Sequence, residues 1–181
     1  MEGNNLQYLY TDTFLGLPYF QSLYLSKNSG LQIPIDCHFI NSLSFKRLGI
    51  SDCNVHVSSV SVETFANISA LEWLDLTNTN LRTLNISILK ALPKLSAMYL
   101  YGKPLQCDCQ LQEVWRWCQD RNIRTVYRRR LPKCYTPSEV KGLWWGVVEK
   151  GQCLLDNIHY YVDYKNTSYS YTPIENTDTE T

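Results

Sequence analysis

The chain has almost no apparatus for chemistry. Its 181 residues hold three histidines, His38, His56 and His159, and they stand outside any His-Glu-x-x-His pair. There is no Gly-x-Ser-x-Gly elbow and no Gly-x-Gly-x-x-Gly phosphate loop. Cys37 beside His38 would need a third orienting group and a cleft to act as a nucleophile, and the sequence indicates neither. No enzyme activity and no cofactor or metal are expected. Long apolar runs are missing too: Leu143 to Val148 is far short of the roughly 20 residues that cross a bilayer. Any membrane attachment is therefore expected through a segment outside this chain. Net charge is also absent, with 17 basic residues against 17 acidic ones, which argues against nucleic acid as a partner.

What the chain does have is a repeat. The spacing Leu-x-x-Leu-x-Leu-x-x-Asn/Cys-x-Leu fits at Leu71, Leu74, Leu76, Thr79, Leu81 and at Leu95, Met98, Leu100, Lys103, Leu105. It fits again at Phe20, Leu23, Leu25, Asn28, with Gly30 then Leu31 at the last place, and at Phe45, Leu48, Ile50, Cys53, Val55. The starts at 20, 45, 71 and 95 lie 25, 26 and 24 residues apart. This is leucine-rich repeat spacing, and it predicts an α/β repeat solenoid with a parallel β-sheet on its concave face. Each repeat is too small to close a core, so stacking must bury the apolar rows. Fourth and sixth positions should point inward, and third, fifth and seventh outward. Further apolar residues, Phe14/Leu17, Phe65/Ile68 and Leu89/Leu92, should line the convex side. In the second repeat Phe39 is followed by Ser42, so Leu43 is expected to substitute. Met1, Asn4 and Leu6 fall at the sixth, ninth and eleventh positions of a preceding repeat, and no secretory signal precedes them. The chain thus reads as an N-terminally truncated fragment.

After the last repeat come Cys107, Cys109, Cys134 and Cys153. Four cysteines allow three connectivities. A zinc site is disfavoured because Cys-x-Cys is not the usual ligand spacing and no histidine lies between Cys107 and Cys153. The stretch Lys103-Pro104-Leu105-Gln106-Cys107-Asp108-Cys109, with Cys134-Tyr135-Thr136-Pro137, Val140, Gly142 and Cys153, resembles the C-terminal cysteine-rich cap of extracellular leucine-rich repeat proteins of receptor and adhesion type. That resemblance implies pairing of Cys107 with Cys134 and of Cys109 with Cys153 over a short helix, in an oxidising compartment. In that helix Leu111, Val114, Trp117 and Cys118 share a face, which leaves Trp115 off it and partly exposed. Cys53 sits at a ninth repeat position and Cys118 in the helix face, both expected as free buried thiols. Cys37 remains as the candidate for an unpaired or intermolecular cysteine.

The predicted organisation is residues 1–106 as repeats, 107–153 as the cap and 154–181 as a tyrosine-rich acidic tail. Between Cys107 and Cys153 nine basic residues stand against five acidic ones, whereas from Leu154 onward Lys165 stands against five acidic residues. Cap and tail are oppositely charged neighbours. Tyr160, Tyr161 and Tyr164 are sulfation candidates by resemblance to the tail of an adhesion receptor of this type; a second reading lays them back on the cap. Asn67, Asn85 and Asn166 begin glycosylation motifs, none on a predicted concave strand. The outward face carries Tyr24, Arg47, Trp73, Asp75, Tyr99 and Tyr101, with Lys27, Lys46, Asp52 and Glu72 flanking it. These are residue types enriched in binding hot spots. The sequence therefore predicts an extracellular domain that binds a protein ligand or co-receptor through its concave face. The alternative is a structural or matrix role, in which the basic cap, with Arg128-Arg129-Arg130, binds a sulfated glycan.

Overall fold

Strands form where the apolar pattern alternates. The computed structural model describes residues 1–10, 13–14, 16–32, 40, 42–53, 67–102, 105–126 and 130–146. Four three-residue strands, β1 (Ser22–Tyr24), β2 (Arg47–Gly49), β3 (Trp73–Asp75) and β4 (Ala97–Tyr99), make one parallel sheet in chain order. The register sets Leu23, Leu48, Leu74 and Met98 side by side, all buried. Leu25, Ile50, Leu76 and Leu100 form the next buried row. Each full burial of such a side chain contributes on the order of 1.5–3 kcal/mol, so the rows supply most of the driving force.

After each strand the chain turns through a left-handed residue at the eighth repeat position: Lys27 (φ 61°), Asp52 (φ 56°), Asn78 (φ 54°) and Gly102 (φ 107°). Gly3 (φ 63°) extends the series backward, and its amide donates to the Ser26 carbonyl at 2.9 Å. Lys27, Asp52 and Asn78 donate to the next repeat in the same way. Residues 1–10 therefore carry the turn of a further repeat, as expected from their spacing. Only glycine fits at 102, because a Cβ there would lie 2.7 Å from the Asn78 backbone nitrogen.

The turn aims the ninth residue inward, where it must satisfy buried backbone groups. Asn28 Oδ1 accepts from the amides of Asn4 (3.1 Å) and Leu6 (2.9 Å), while its Nδ2 donates to the Leu25 carbonyl at 2.6 Å. Cys53 Sγ donates to the same carbonyl at 3.2 Å, and Thr79 Oγ1 donates to the Leu76 carbonyl at 2.8 Å. Three different side chains thus fill one role.

Two expectations on the convex side are corrected. Leu17 is 48% exposed, leaving Phe14 and Phe20, stacked at 5.0 Å, to do the packing. Leu43 does not substitute for Ser42 and is 78% exposed. Ser42 itself is buried, and its hydroxyl donates to the Phe20 carbonyl at 3.2 Å, which removes the penalty for a polar group there. Ile68, Leu89 and Leu92 are buried as expected. Helix α1 (Ile86–Lys90), capped by Asn85 Oδ1 accepting from the Ser87 amide at 2.8 Å, lies in the return segment between β3 and β4.

Beyond β4, β5 (Leu105–Gln106) pairs in parallel with β6 (Cys134–Thr136), and the Cys107–Cys134 disulfide joins their ends. Between them runs helix α2 (Cys109–Asp120), whose Asp108 cap accepts from the Leu111 amide at 3.0 Å. Cys109 is also disulfide-bonded, while Cys53 and Cys118 are free and buried. Trp115 contradicts its expected exposure. It is 5% exposed and packs edge-on against Trp144 (4.8 Å) and Trp145 (5.2 Å), because the chain after the short 3-10 turn Ser138–Val140 covers that side of α2. Trp117 is the partly exposed one, under the Arg121 guanidinium at 5.0 Å. Phe39, Val55, Phe65, Lys103, Cys37, Cys153, Arg128, Arg129, Asn166, Tyr160, Tyr161, Tyr164 and the tail from 154 lie outside the described residues.

Candidate recognition face

Strand alternation gives the exposed side of the sheet two rows. One is Ser22, Arg47, Trp73 and Ala97; the other is Tyr24, Gly49, Asp75 and Tyr99. Gly49 decides how the aromatics sit. A Cβ at that position would lie 2.9 Å from Tyr24 Cδ1 and 3.4 Å from Trp73 Cζ3, so both rings lean into the space it leaves. Tyr24 and Trp73 meet edge-on at 5.8 Å although a whole strand separates them. Trp73 then meets Tyr99 edge-on at 5.7 Å. The result is a continuous aromatic band from β1 to β4, with Trp73, half-buried, at its centre.

The charged candidates divide. Arg47 is exposed beside Trp73. Lys46 and Glu72 neutralise each other in an ion pair at 3.3 Å on the flank, with both side chains substantially exposed, so the pair adds little stability. Asp75 turns one carboxylate oxygen to the Thr77 amide at 2.9 Å. Asp52 accepts from Asn78 Nδ2 at 2.7 Å, and Lys27 is exposed in its own turn. Tyr99 is a correction: expected on the open face, it is only 4% exposed.

At this end of the sheet the cap makes a contribution the sequence reading missed. Arg124, in the segment after α2, forms a parallel bridge with Ala97: its amide donates to the Ser96 carbonyl at 2.9 Å and its carbonyl accepts from the Met98 amide at 2.9 Å. The cap thereby extends the sheet by one row beyond β4, alongside Ala97 and Met98. Bridged parallel partners share a face, so exposed Arg124 joins the row of Arg47 and Trp73. At the same end the Arg130 guanidinium lies 5.1 Å from the centre of the Tyr101 ring. No sequence signal marks Arg124, because its place depends on how the cap docks.

Among the described residues no cluster of His, Cys, Asp and Glu could hold a metal ion. Burial pushes the free thiols up: Cys53 is raised despite the hydrogen bond at Asn28, which pulls the other way, and Cys118 is raised to about 12. Neither is a nucleophile near neutral pH.

No family model matches the chain. The mouse (Mus musculus) platelet glycoprotein Ib beta chain is 38% identical over 69 residues, 38% of this chain and 32% of the relative. A phospholipase A2 inhibitor from Gloydius brevicaudus siniticus is 33% identical over 78 residues, 43% of this chain and 23% of the relative. Among solved structures, the TLR13–ssRNA13 complex superposes with a TM-score of 0.64 over 79% of this chain and 20% of that chain, at 22% identity. The chain folds as a leucine-rich repeat solenoid and is similar to extracellular leucine-rich repeat proteins of receptor and adhesion type. These matches span about a third or less of the relatives' own length. No helix among the described residues of this leucine-rich repeat protein is long and apolar enough to cross a membrane.

Proposed function

We propose that this leucine-rich repeat domain acts without chemistry of its own, as an extracellular recognition module that binds a protein ligand or co-receptor through the open face of its sheet. The aromatic band Tyr24–Trp73–Tyr99 carries this reading. A half-exposed tryptophan, held edge-on by its neighbours and flanked by an arginine, is pre-organised to bury apolar area at little entropic cost. The division into repeats to residue 106, a cap over 107–153 and a tail from 154 belongs to the same reading. Asn85 is exposed on the return side and Asn67 partly so, which leaves the sheet face clear if they carry glycans.

The test compares the chain with Trp73→Ala and Arg116→Ala for binding to cultured cells, before and after heparinase treatment. Trp73→Ala should weaken binding by about 2 kcal/mol, as for a hot spot, while Arg116→Ala and heparinase leave it unchanged. Binding that survives Trp73→Ala and disappears with heparinase would refute concave-face protein recognition in favour of a sulfated glycan on the cap.

A further inference from the structure

We propose that the recognition face does not end with the repeats: Arg124 and Arg130 of the cap, with Arg47, make it an arginine and aromatic surface that takes an acidic segment of a partner protein. This rests on the concave-face reading above and gives it a partner chemistry.

Three observations carry it. Arg124 is built into the sheet by two backbone hydrogen bonds, so its side chain starts from a fixed origin in the row of Arg47 and Trp73. Arg130 is held at the same end by the Tyr101 ring. The carboxylates nearby are occupied: Glu72 is paired with Lys46, Asp75 caps its own turn and Asp52 accepts from Asn78. Among the described residues outside the Lys46–Glu72 pair, Lys27, Arg47, Arg124 and Arg130 therefore stand against Asp52 and Asp75, an excess of two positive charges on this face of a chain whose net charge is zero. Guanidinium groups are weakly hydrated and bind carboxylates in a fork, so they suit a partner surface that is dried on binding. A sulfated glycan would satisfy the cations and leave the aromatic band without a partner. A peptide carrying both carboxylates and rings satisfies both.

The experiment measures fluorescence anisotropy of a labelled peptide of alternating Glu and Tyr against the intact chain, with a Gln-for-Glu peptide and heparin as comparison probes. Expected are tighter binding of the Glu peptide, weakening with added salt, and a loss of about threefold to tenfold for Arg124→Gln and for Arg130→Gln. Arg116→Gln, on the exposed side of α2, should bind as the parent does. Thermal unfolding of each variant separates loss of contact from loss of fold. Equal binding of the Gln peptide, or binding of heparin alone, overturns the acidic-segment assignment. If Trp73→Ala weakens binding while Arg124→Gln and Arg130→Gln do not, the cap's part is refuted and the concave-face reading stands. If none of these variants alters binding of the Glu peptide, both fall.

Discussion

Replacing Asn28 by alanine removes one side chain that serves four backbone groups on two segments. Asn28 is fully buried, and its Oδ1 is the acceptor for the amides of Asn4 and Leu6 at 3.1 and 2.9 Å. Its Nδ2 donates at 2.6 Å to the buried Leu25 carbonyl and at 3.1 Å to the Met1 carbonyl. A buried group left without a partner costs about 1–3 kcal/mol, less where water can reach it. Asn4 is exposed and Leu6 half-buried, so water recovers part of the loss there. The Leu25 carbonyl keeps only the weak Cys53 Sγ donor at 3.2 Å. Asn28→Ala should therefore cost about 2–4 kcal/mol, lowering Tm by roughly 5–15 °C in a domain of this size. Cys53→Ala removes a single sulfur donor and should cost about 1 kcal/mol. Calorimetry gives both numbers, and amide exchange at Leu6 and Leu9 reports whether the first turn opens. An unchanged Tm for Asn28→Ala, or equal losses for the two variants, would show that volume rather than hydrogen bonding governs the ninth position.

Tyr99→Ala should behave as a core truncation, losing about 3–5 kcal/mol and shifting the fluorescence of Trp73, which its ring touches at 5.7 Å; a Tm within a degree or two of the parent would place Tyr99 outside the core. Cys118 is a thiol whose pKa rises on folding to about 12 from 9.0, so the folded state holds its proton while the unfolded chain releases it. Stability from this group is complete below pH 9 and declines as pH climbs from 9 toward 12. Urea unfolding at pH 8 and pH 10 should show a smaller decline for Cys118→Ala than for the parent, and identical declines would sink the assignment.

The parts of the fold that were legible are those set by local period. Leu23, Leu48, Leu74 and Met98 had to share a row once the spacing was seen, and they do. Several of the misreadings involve residues that meet only across long stretches of chain. Trp115 lies off the helix stripe that period predicts, yet Trp144 and Trp145 arrive to cover it. Tyr99 alternates outward like Tyr24, yet it is buried in the strand that Arg124 extends at Ala97. Ser42 looked like a defect because hydropathy does not register the Phe20 carbonyl waiting for its hydroxyl. At the candidate site, the residue types of the band were visible in the sequence. Their convergence over Gly49 was not, since it depends on a side chain that is missing.

The left-handed turns at Gly3, Lys27, Asp52, Asn78 and Gly102 sit at intervals of 24, 25, 26 and 24 residues, yet the strand pairing between them never slips. From each paired core residue to its turn the count is constant, as from Leu23 to Lys27 and from Leu74 to Asn78, so the differences in length all fall on the return side. In evolutionary terms the molecule has one edge where insertions and deletions are filtered out and another where they can accumulate. Such a lineage can lengthen or shorten its repeats and bend its curvature while the spacing of residues offered to a partner stays the same.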